Sequence, residues 1–112
     1  EGLRPISLAP ASWVPDKAWH GHVYQSQWNY VMTGQIRVAL YDDRPNSSTY
    51  KETIEFVAGD EAEPIGYFFP PRVLHGYKCV KGPMQIIYLT SGRYDLKDEI
   101  RKTNQELNVN FF

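Results

Sequence analysis

The chain contains three histidines, and two of them, His20 and His22, are separated by a single residue. The third, His75, follows a proline-rich run much later in the chain. Each histidine lies in a strand-like segment beside a turn signal. In an extended segment, residues two apart point to the same face, so His20 and His22 can reach into one space. Imidazoles arranged in this way suit metal binding, proton transfer near neutral pH, or both.

The segments that must position these histidines have the patterns of β-strands. Within residues 35–42, Ile36, Val38 and Leu40 alternate with other residues and fall on one face. Thr33-Gly34 and Lys81-Gly82-Pro83 are typical of turns, and the first of them predicts a hairpin. Many short strands of this kind predict an all-β sandwich or barrel. The predicted strands cover residues 29–32, 35–42, 52–57, 67–69, 75–80 and 85–90.

Length and composition limit the class of protein. With 112 residues, 42% of them hydrophobic, residues 1–112 should form one domain with a real core. A net charge of −1 argues against a nucleic-acid partner. No apolar run approaches about 18 residues, so no membrane span or membrane partner is expected. The single cysteine, Cys79, and the lack of a recognisable signal peptide predict a cytoplasmic protein, although the first residue is Glu1 rather than Met.

The two ends of the chain differ from the strand-rich middle. Residues 1–15 form an arm that contains prolines and suits an extended crossing segment. Residues 95–112 form a C-terminal tail. In this tail Leu96, Ile100 and Leu107 fit a helical stripe, which predicts a short C-terminal helix.

The spacing around the histidines resembles two motifs of the cupin superfamily. His20-x-His22 is followed by four residues, Gln27, six further residues and Gly34. This is the layout of the first cupin motif, which has glutamate where Gln27 stands. Pro70-x-Arg72-x-x-His75 resembles the second motif, with Arg72 in place of its glycine. The resemblance implies a single double-stranded β-helix, the cupin jelly roll. It also implies one alternative site, a divalent transition metal such as Zn, Ni or Fe bound by His20, His22, Gln27 and His75.

A closer resemblance, over the 85 residues from Lys17 to Arg101, is to the dTDP-4-dehydrorhamnose 3,5-epimerase family. Residues 17–20 resemble the family's Arg-Gly-Leu-His, and residues 37–44 resemble its strand ending in Val-Asp-x-Arg. Residues 69–77 resemble its Ile-Pro-x-Gly-x-x-His-Gly-Phe. Two further segments complete the set: residues 86–90 resemble the strand with the catalytic tyrosine, and residues 94–99 resemble Tyr-x-Pro-x-x-Glu.

This resemblance implies an epimerase or isomerase that acts beside the ketone of a 4-keto-6-deoxy sugar nucleotide and needs no cofactor. His20 would be the base, Tyr88 the acid, and His75 a hydrogen-bond partner near the ketone. Family members pair through sheet surfaces and an exchanged N-terminal strand, so a homodimer is expected, with residues 3–13 as the exchanged segment. The implied substrate contacts are Lys17 and Arg37 at the nucleotide phosphates, together with Gln27 and Arg72.

The chain also departs from this family. The epimerases carry a lysine where Gln27 stands, and they place an aspartate behind the catalytic histidine in a Leu-Ser-x-Lys-Asp segment that this chain does not contain. Asp42 or another carboxylate would have to orient the histidine instead. His22 restores the two-histidine motif of metal cupins. Three functions therefore stay open: an epimerase-like isomerase diverged from the classical 3,5-epimerases, a metal-dependent small cupin, and a sugar-binding cupin without catalysis.

Overall fold

The computed structural model describes residues 2–9, 19–92 and 96–111, with side chains for residues 19–92 and 97–111. Strands dominate this part of the chain. They are β1 (Gly2–Ala9), β2 (Trp19–His22), β3 (Gln27–Asp42), β4 (Thr53–Gly59), β5 (Tyr67–Phe69), β6 (Val73–Thr90) and β7 (Glu99–Lys102). A single 3-10 turn at Leu96–Asp98 precedes β7, and a short helix α1 (Asn104–Leu107) follows it. The all-β prediction is therefore confirmed.

Two long strands organise the sheet. β3 and β6 are antiparallel and pair from Gln27 opposite Thr90 to Asp42 opposite Val73. The predicted turns at Thr33-Gly34 and Lys81-Gly82-Pro83 are wrong, because both strands continue through these residues. The pairing register shifts there, which bends both strands at the same level. Gly34 has a φ of 76°, and a Cβ on it would lie 2.6 Å from the Lys81 carbonyl oxygen.

The bends divide the sheet into two layers. The second half of β6 and the first half of β3 pair with β1 and β5, respectively. The second half of β3 pairs with β4, and the first half of β6 pairs with β2. β2 pairs in turn with β7. One apolar core lies between the layers and takes Val31 and Ile86 from the first, Val38 and Tyr77 from the second. This arrangement is the predicted jelly roll.

A second core covers the outer face of the second layer. Trp19, Tyr41 and Leu74 pack there against Leu107 and Phe111 of the C-terminal tail. The predicted short helix is confirmed only at residues 104–107, where Thr103 forms a capping box with Glu106. Residues 99–102 of the predicted helical stripe instead form β7, which pairs with β2.

The N-terminal arm pairs within its own chain. Gly2 lies opposite Thr90 and Ile6 opposite Ile86, so β1 adds an antiparallel strand beside β6. Residues 10–18 of the arm and its junction lie outside the described residues. Exchange of the arm between two copies stays a prediction. No helix within the described ranges is long and apolar enough to cross a membrane.

Candidate functional site

The first histidine motif meets the second where β2 pairs with β6. His20 lies directly opposite His75 in the antiparallel pairing, so both side chains point to the same, inward face. Their ring centroids are 6.3 Å apart. The His75 ring also stacks on Phe69 at a centroid distance of 4.0 Å. Two histidines that are far apart in sequence therefore share one space at the core.

His75 is held as a neutral imidazole. Burial above all, together with positive charge on His20 and His22, lowers its pKa to about 3. Its Nε2 atom is buried without a hydrogen-bond partner. A neutral ring can offer one donor and one acceptor but no charge. His75 is thus suited to hydrogen bonding a substrate oxygen rather than to binding an anion.

A carboxylate lies behind His22. The Nδ1 atom of His22 is 3.5 Å from Oδ2 of Asp98, and Asp98 is buried. The other carboxylate oxygen of Asp98 accepts a hydrogen bond of 2.7 Å from the backbone N–H of Tyr24, which fixes the side chain. Glu99 lies opposite His22 in the β2–β7 pairing. His22 therefore has an acidic partner, which comes from the turn before β7.

Buried polar atoms that lack a hydrogen bond are concentrated at this site. Within the described residues they are Nδ1 of His22, Nε2 of His75, Oδ2 of Asp98 and Oε2 of Glu99. All four belong to the region where β2 pairs with β6 and β7, or to the turn before β7. Buried polar groups without partners are rare in proteins and call for a functional explanation. Their clustering indicates a site built to receive a polar ligand.

Asp42 does not orient a histidine. Its carboxylate accepts two hydrogen bonds from the Arg44 side chain, at 2.8 and 3.0 Å, and further bonds from Ser47 and Thr49. These bonds, the one from Arg44 above all, hold the pKa of Asp42 well below its usual value. Asp42 therefore anchors the loop between β3 and β4. The carboxylate that lies beside a histidine is Asp98, and that histidine is His22 rather than the predicted base His20.

The other predicted polar residues of the inward face come from the first layer. Gln27 is buried, and its side-chain Nε2 donates a hydrogen bond of 2.7 Å to Asn29 Oδ1. Asn29 donates in turn to the Tyr67 hydroxyl at 3.0 Å. Tyr88 lies opposite Asn29 in the β3–β6 pairing and so shares its face. Asn29 and Tyr67 were not predicted as site residues, and only their period-two spacing from Gln27 and Phe69 could have indicated them.

The predicted basic substrate contacts are Arg37 and Lys17 at the nucleotide phosphates, together with Arg72. Arg37 is on the other face of β3 from Val38, where its guanidinium lies 5.0 Å from the Phe111 ring centroid and 3.9 Å from Glu55. Lys17 lies outside the described residues. Arg72 is exposed, and its backbone N–H donates a 2.7 Å hydrogen bond to the His22 carbonyl. Of the two residues that the structure describes, Arg72 is the one whose backbone lies beside His22.

Arg72 occupies a conformation that favours glycine. Its φ is 65°, a region in which an L side chain costs about 1 kcal/mol. We expect Arg72→Gly to be more stable than Arg72→Ala by about 1 kcal/mol, because both variants lose the guanidinium and only glycine relieves the backbone. Urea unfolding of the two variants measures the difference. Equal stability of the two variants would contradict the proposed strain.

The four residues of the alternative metal site do not form a metal-binding group. Across residues 19–92 and 97–111, no three His, Cys, Asp or Glu side chains are grouped so that they could hold a metal ion. His22 directs Nδ1 towards Asp98, and Gln27 is hydrogen bonded to Asn29 in the other layer. His20, His75 and Tyr88 of the predicted proton-transfer set face the interior, as Gln27 does.

Two curated proteins are similar to the chain over most of its length. The spore coat polysaccharide biosynthesis protein SpsL of Bacillus subtilis is 38% identical over 88 residues, which are 76% of this chain and 58% of that protein. The probable low-salt glycan biosynthesis epimerase Agl13 of Haloferax volcanii is 32% identical over 84 residues, 73% of this chain and 53% of its own length. The chain thus spans little more than half of these relatives. No protein-family model matches it.

Solved structures share the fold. A dTDP sugar isomerase from Desulfovibrio desulfuricans superposes with a TM-score of 0.85 at 22% identity, covering 99% of this chain and 69% of the other. The rmlC epimerase of Mycobacterium tuberculosis gives 0.84 at 17% identity, with 98% and 56% covered. The 3,4-ketoisomerase QdtA of Thermoanaerobacterium thermosaccharolyticum gives 0.73 at 17% identity, with 96% and 70% covered. The chain therefore has the RmlC-like cupin fold, the fold of solved dTDP-sugar epimerases and isomerases.

Proposed function

We propose that the chain is the catalytic cupin domain of an enzyme that epimerises or isomerises a sugar nucleotide beside its ketone. The observation that carries this proposal is a cluster of buried polar atoms without hydrogen bonds on His22, His75, Asp98 and Glu99, in which His22 and Asp98 face each other at 3.5 Å. The names of SpsL and Agl13, both concerned with glycan biosynthesis, support the substrate class. The fold shared with dTDP-sugar enzymes supports it independently.

Epimerisation beside a ketone needs a base on one face of the sugar and an acid on the other. The base removes a carbon-bound proton, the electron pair moves into an enolate, and the acid returns a proton to the opposite face. His20 and His22 lie in one layer of the jelly roll, whereas Tyr88 lies in the other. A sugar between the layers would present opposite faces to them. This geometry supports His20 as base and Tyr88 as acid.

His75 and Asp98 supply the remaining functions. The neutral His75 ring can hydrogen bond the ketone oxygen without carrying charge of its own. Asp98 holds one nitrogen of His22 and would stabilise the positive charge that His22 gains with a proton. We infer that His22 cooperates with His20 in moving the proton. Arg72, exposed beside the end of β2, is our candidate for the nucleotide phosphates.

A 3,4-ketoisomerase is a second candidate. Moving the ketone to the neighbouring carbon takes a proton from one carbon and adds a proton to the next, through an enediol. His20 and His22 point to the same face of β2, two residues apart, which suits transfer on a single face of the sugar. The ketoisomerases QdtA and WlaRB, from Campylobacter jejuni, share the fold with TM-scores of 0.73 and 0.74.

Solvent exchange tests both candidates. We expect the protein, incubated in D₂O with dTDP-4-keto-6-deoxyglucose, to incorporate deuterium at C3 or C5 if it is an epimerase and at C4 of a 3-keto product if it is a ketoisomerase. His20→Ala should slow incorporation about 100-fold or more, as loss of a proton-transfer group does. Proton NMR measures the exchange.

The control is Lys81→Ala, which removes an exposed side chain at the bend of β6. It should exchange at the wild-type rate. If the sugar nucleotide raises the melting temperature of the protein but no proton exchanges, the protein is a sugar-binding cupin without catalysis and the proposal is wrong. If it neither binds nor exchanges, both candidates fail.

We also propose that the protein is a cytoplasmic homodimer. An uncharged apolar group is exposed on the outer face of the first layer: Trp28, Tyr30, Met32, Phe68 and Leu89. Two copies of such a surface can meet without repulsion between like charges. Exchange of the N-terminal arm would occur beside this surface, because β1 pairs with β6. The single cysteine, Cys79, is buried and not part of a disulfide, which suits a reducing compartment.

A further inference from the structure

A row of buried polar side chains crosses the inward face of the first layer. Gln27 is 6%, Asn29 3% and Tyr67 8% exposed. Phe69 and Ile86 on the same face are apolar and belong to the core. Apolar residues would fill these positions at lower cost, because each buried polar group loses its water and must find a partner. The row therefore calls for an explanation beyond packing.

The direction of the hydrogen bonds fixes what Tyr67 can do. Gln27 Nε2 donates to Asn29 Oδ1 at 2.7 Å, and this bond sets the orientation of the Asn29 amide. Asn29 Nδ2 then donates to the Tyr67 hydroxyl oxygen at 3.0 Å. Tyr67 accepts this bond with a lone pair and keeps its own proton for donation. Asn29 thus holds the hydroxyl in place and leaves it a hydrogen-bond donor.

Tyr67 lies close to the candidate site. Its ring centroid is 6.2 Å from that of Phe69, and Phe69 stacks on His75 at 4.0 Å. Asn29 has Tyr67 opposite it on β5 and Tyr88 opposite it on β6, so the two tyrosines flank it on one face. Burial raises the pKa of Tyr67 to about 12, which keeps the hydroxyl protonated at neutral pH.

We infer that Tyr67, positioned by Asn29, donates a hydrogen bond to the enolate oxygen of the sugar. This inference rests on the proposed function and adds a catalytic residue to it. The donor faces the same interior as His75, and it is held in place before the substrate binds. A preorganised donor of this kind acts where negative charge develops, and so stabilises the transition state more than the bound ketone. No step consumes the Tyr67 proton, because the hydroxyl only donates a hydrogen bond.

Steady-state exchange kinetics with dTDP-4-keto-6-deoxyglucose in D₂O test the inference. Tyr67→Phe should lower kcat about 100-fold, the typical effect of removing one oxyanion donor, with KM changed less than about threefold. Asn29→Asp should give a similar loss although Tyr67 is present, because a carboxylate accepts the Tyr67 proton that would otherwise reach the substrate. Tyr30→Phe, on the exposed face of the same strand, should leave kcat unchanged.

The outcomes separate the two proposals. If the wild type exchanges protons and a folded Tyr67→Phe variant is equally active, the catalytic role of Tyr67 is wrong and the proposed function still holds. A purely structural role would lower the melting temperature of Tyr67→Phe and leave kcat as it is, and this result overturns the catalytic role as well. If Tyr67→Phe does not fold, Asn29→Asp decides in the same way. If the wild type exchanges no proton, the proposed function fails and the role of Tyr67 fails with it.

Discussion

Replacing Trp19 with alanine should lower the free energy of unfolding by about 4 kcal/mol, the range found for removing a large buried aromatic side chain. Trp19 is fully buried. Its ring packs against Tyr41 and Phe111, each at a centroid distance of 6.0 Å. Its Nε1 donates a 2.7 Å hydrogen bond to Asn104 Oδ1, which would lose this partner as well. A loss of this size is a large part of the stability of a small domain.

The site should weaken together with the fold. Trp19 is the first residue of β2, and β2 joins β6 to β7. Without Trp19, the strand that carries His20 and His22 loses its packing against the second core on the outer face. Urea unfolding measures the effect, with Trp28→Ala as the matched control. Trp28 is 52% exposed and contacts Phe68 at a centroid distance of 5.0 Å, so its removal should cost clearly less than that of Trp19. Equal losses for the two tryptophans would contradict the role of the second core.

The sequence identified most strands but not their continuity. Period-two alternation predicts an extended segment, and it does so equally well for two short strands or for one long bent strand. Thr33-Gly34 and Lys81-Gly82-Pro83 have turn chemistry, yet they form facing bends in β3 and β6. Whether such residues reverse a chain or only bend it depends on the strand paired beside them, and that partner is distant in sequence. The jelly roll itself was correctly predicted from the resemblance.

The C-terminal tail shows a similar limit. Leu96, Ile100 and Leu107 fit a helical period, but Ile100 reaches the second core from a strand rather than from a helix. β2 offers an open edge beside His20 and His22, and pairing with that edge satisfies the backbone groups of residues 99–102. Tertiary pairing therefore overrides the local period. This pairing also brings Asp98 beside His22.

The candidate site was partly predictable. Spacing within a strand placed His20 and His22 on one face, and the structure adds His75, Gln27 and Tyr88 to the same interior. The acidic partner Asp98 could not be predicted, because its approach to His22 depends on a turn and on the register of β7. Asn29 and Tyr67 could not be predicted as site residues either, because an asparagine or a tyrosine within a strand gives no distinctive sequence pattern. The chemical types of the site residues could be predicted from the sequence, whereas their neighbours on adjacent strands could not.

Asp98→Asn is expected to lower kcat for proton exchange about 100-fold or more, with little change in KM. The carboxylate faces Nδ1 of His22 at 3.5 Å and is held by the Tyr24 backbone. A carboxylate that faces Nδ1 favours the tautomer with its proton on that nitrogen, and it would stabilise the imidazolium that forms during proton transfer. The amide cannot supply that charge, and in catalytic triads its substitution has cost about 10⁴-fold.

The matched control is Asp60→Asn, the same chemical change at an exposed residue whose carboxylate accepts a bond from the Gly34 backbone. It should leave exchange unchanged. A His22→Ala and Asp98→Asn double variant should be no slower than His22→Ala alone, because the carboxylate acts only through the histidine. Additive losses would show that Asp98 serves the reaction independently of His22. Full activity of Asp98→Asn would instead leave His20 as the sole proton-transfer histidine of the β2 motif, with the His22–Asp98 pair as part of the fold.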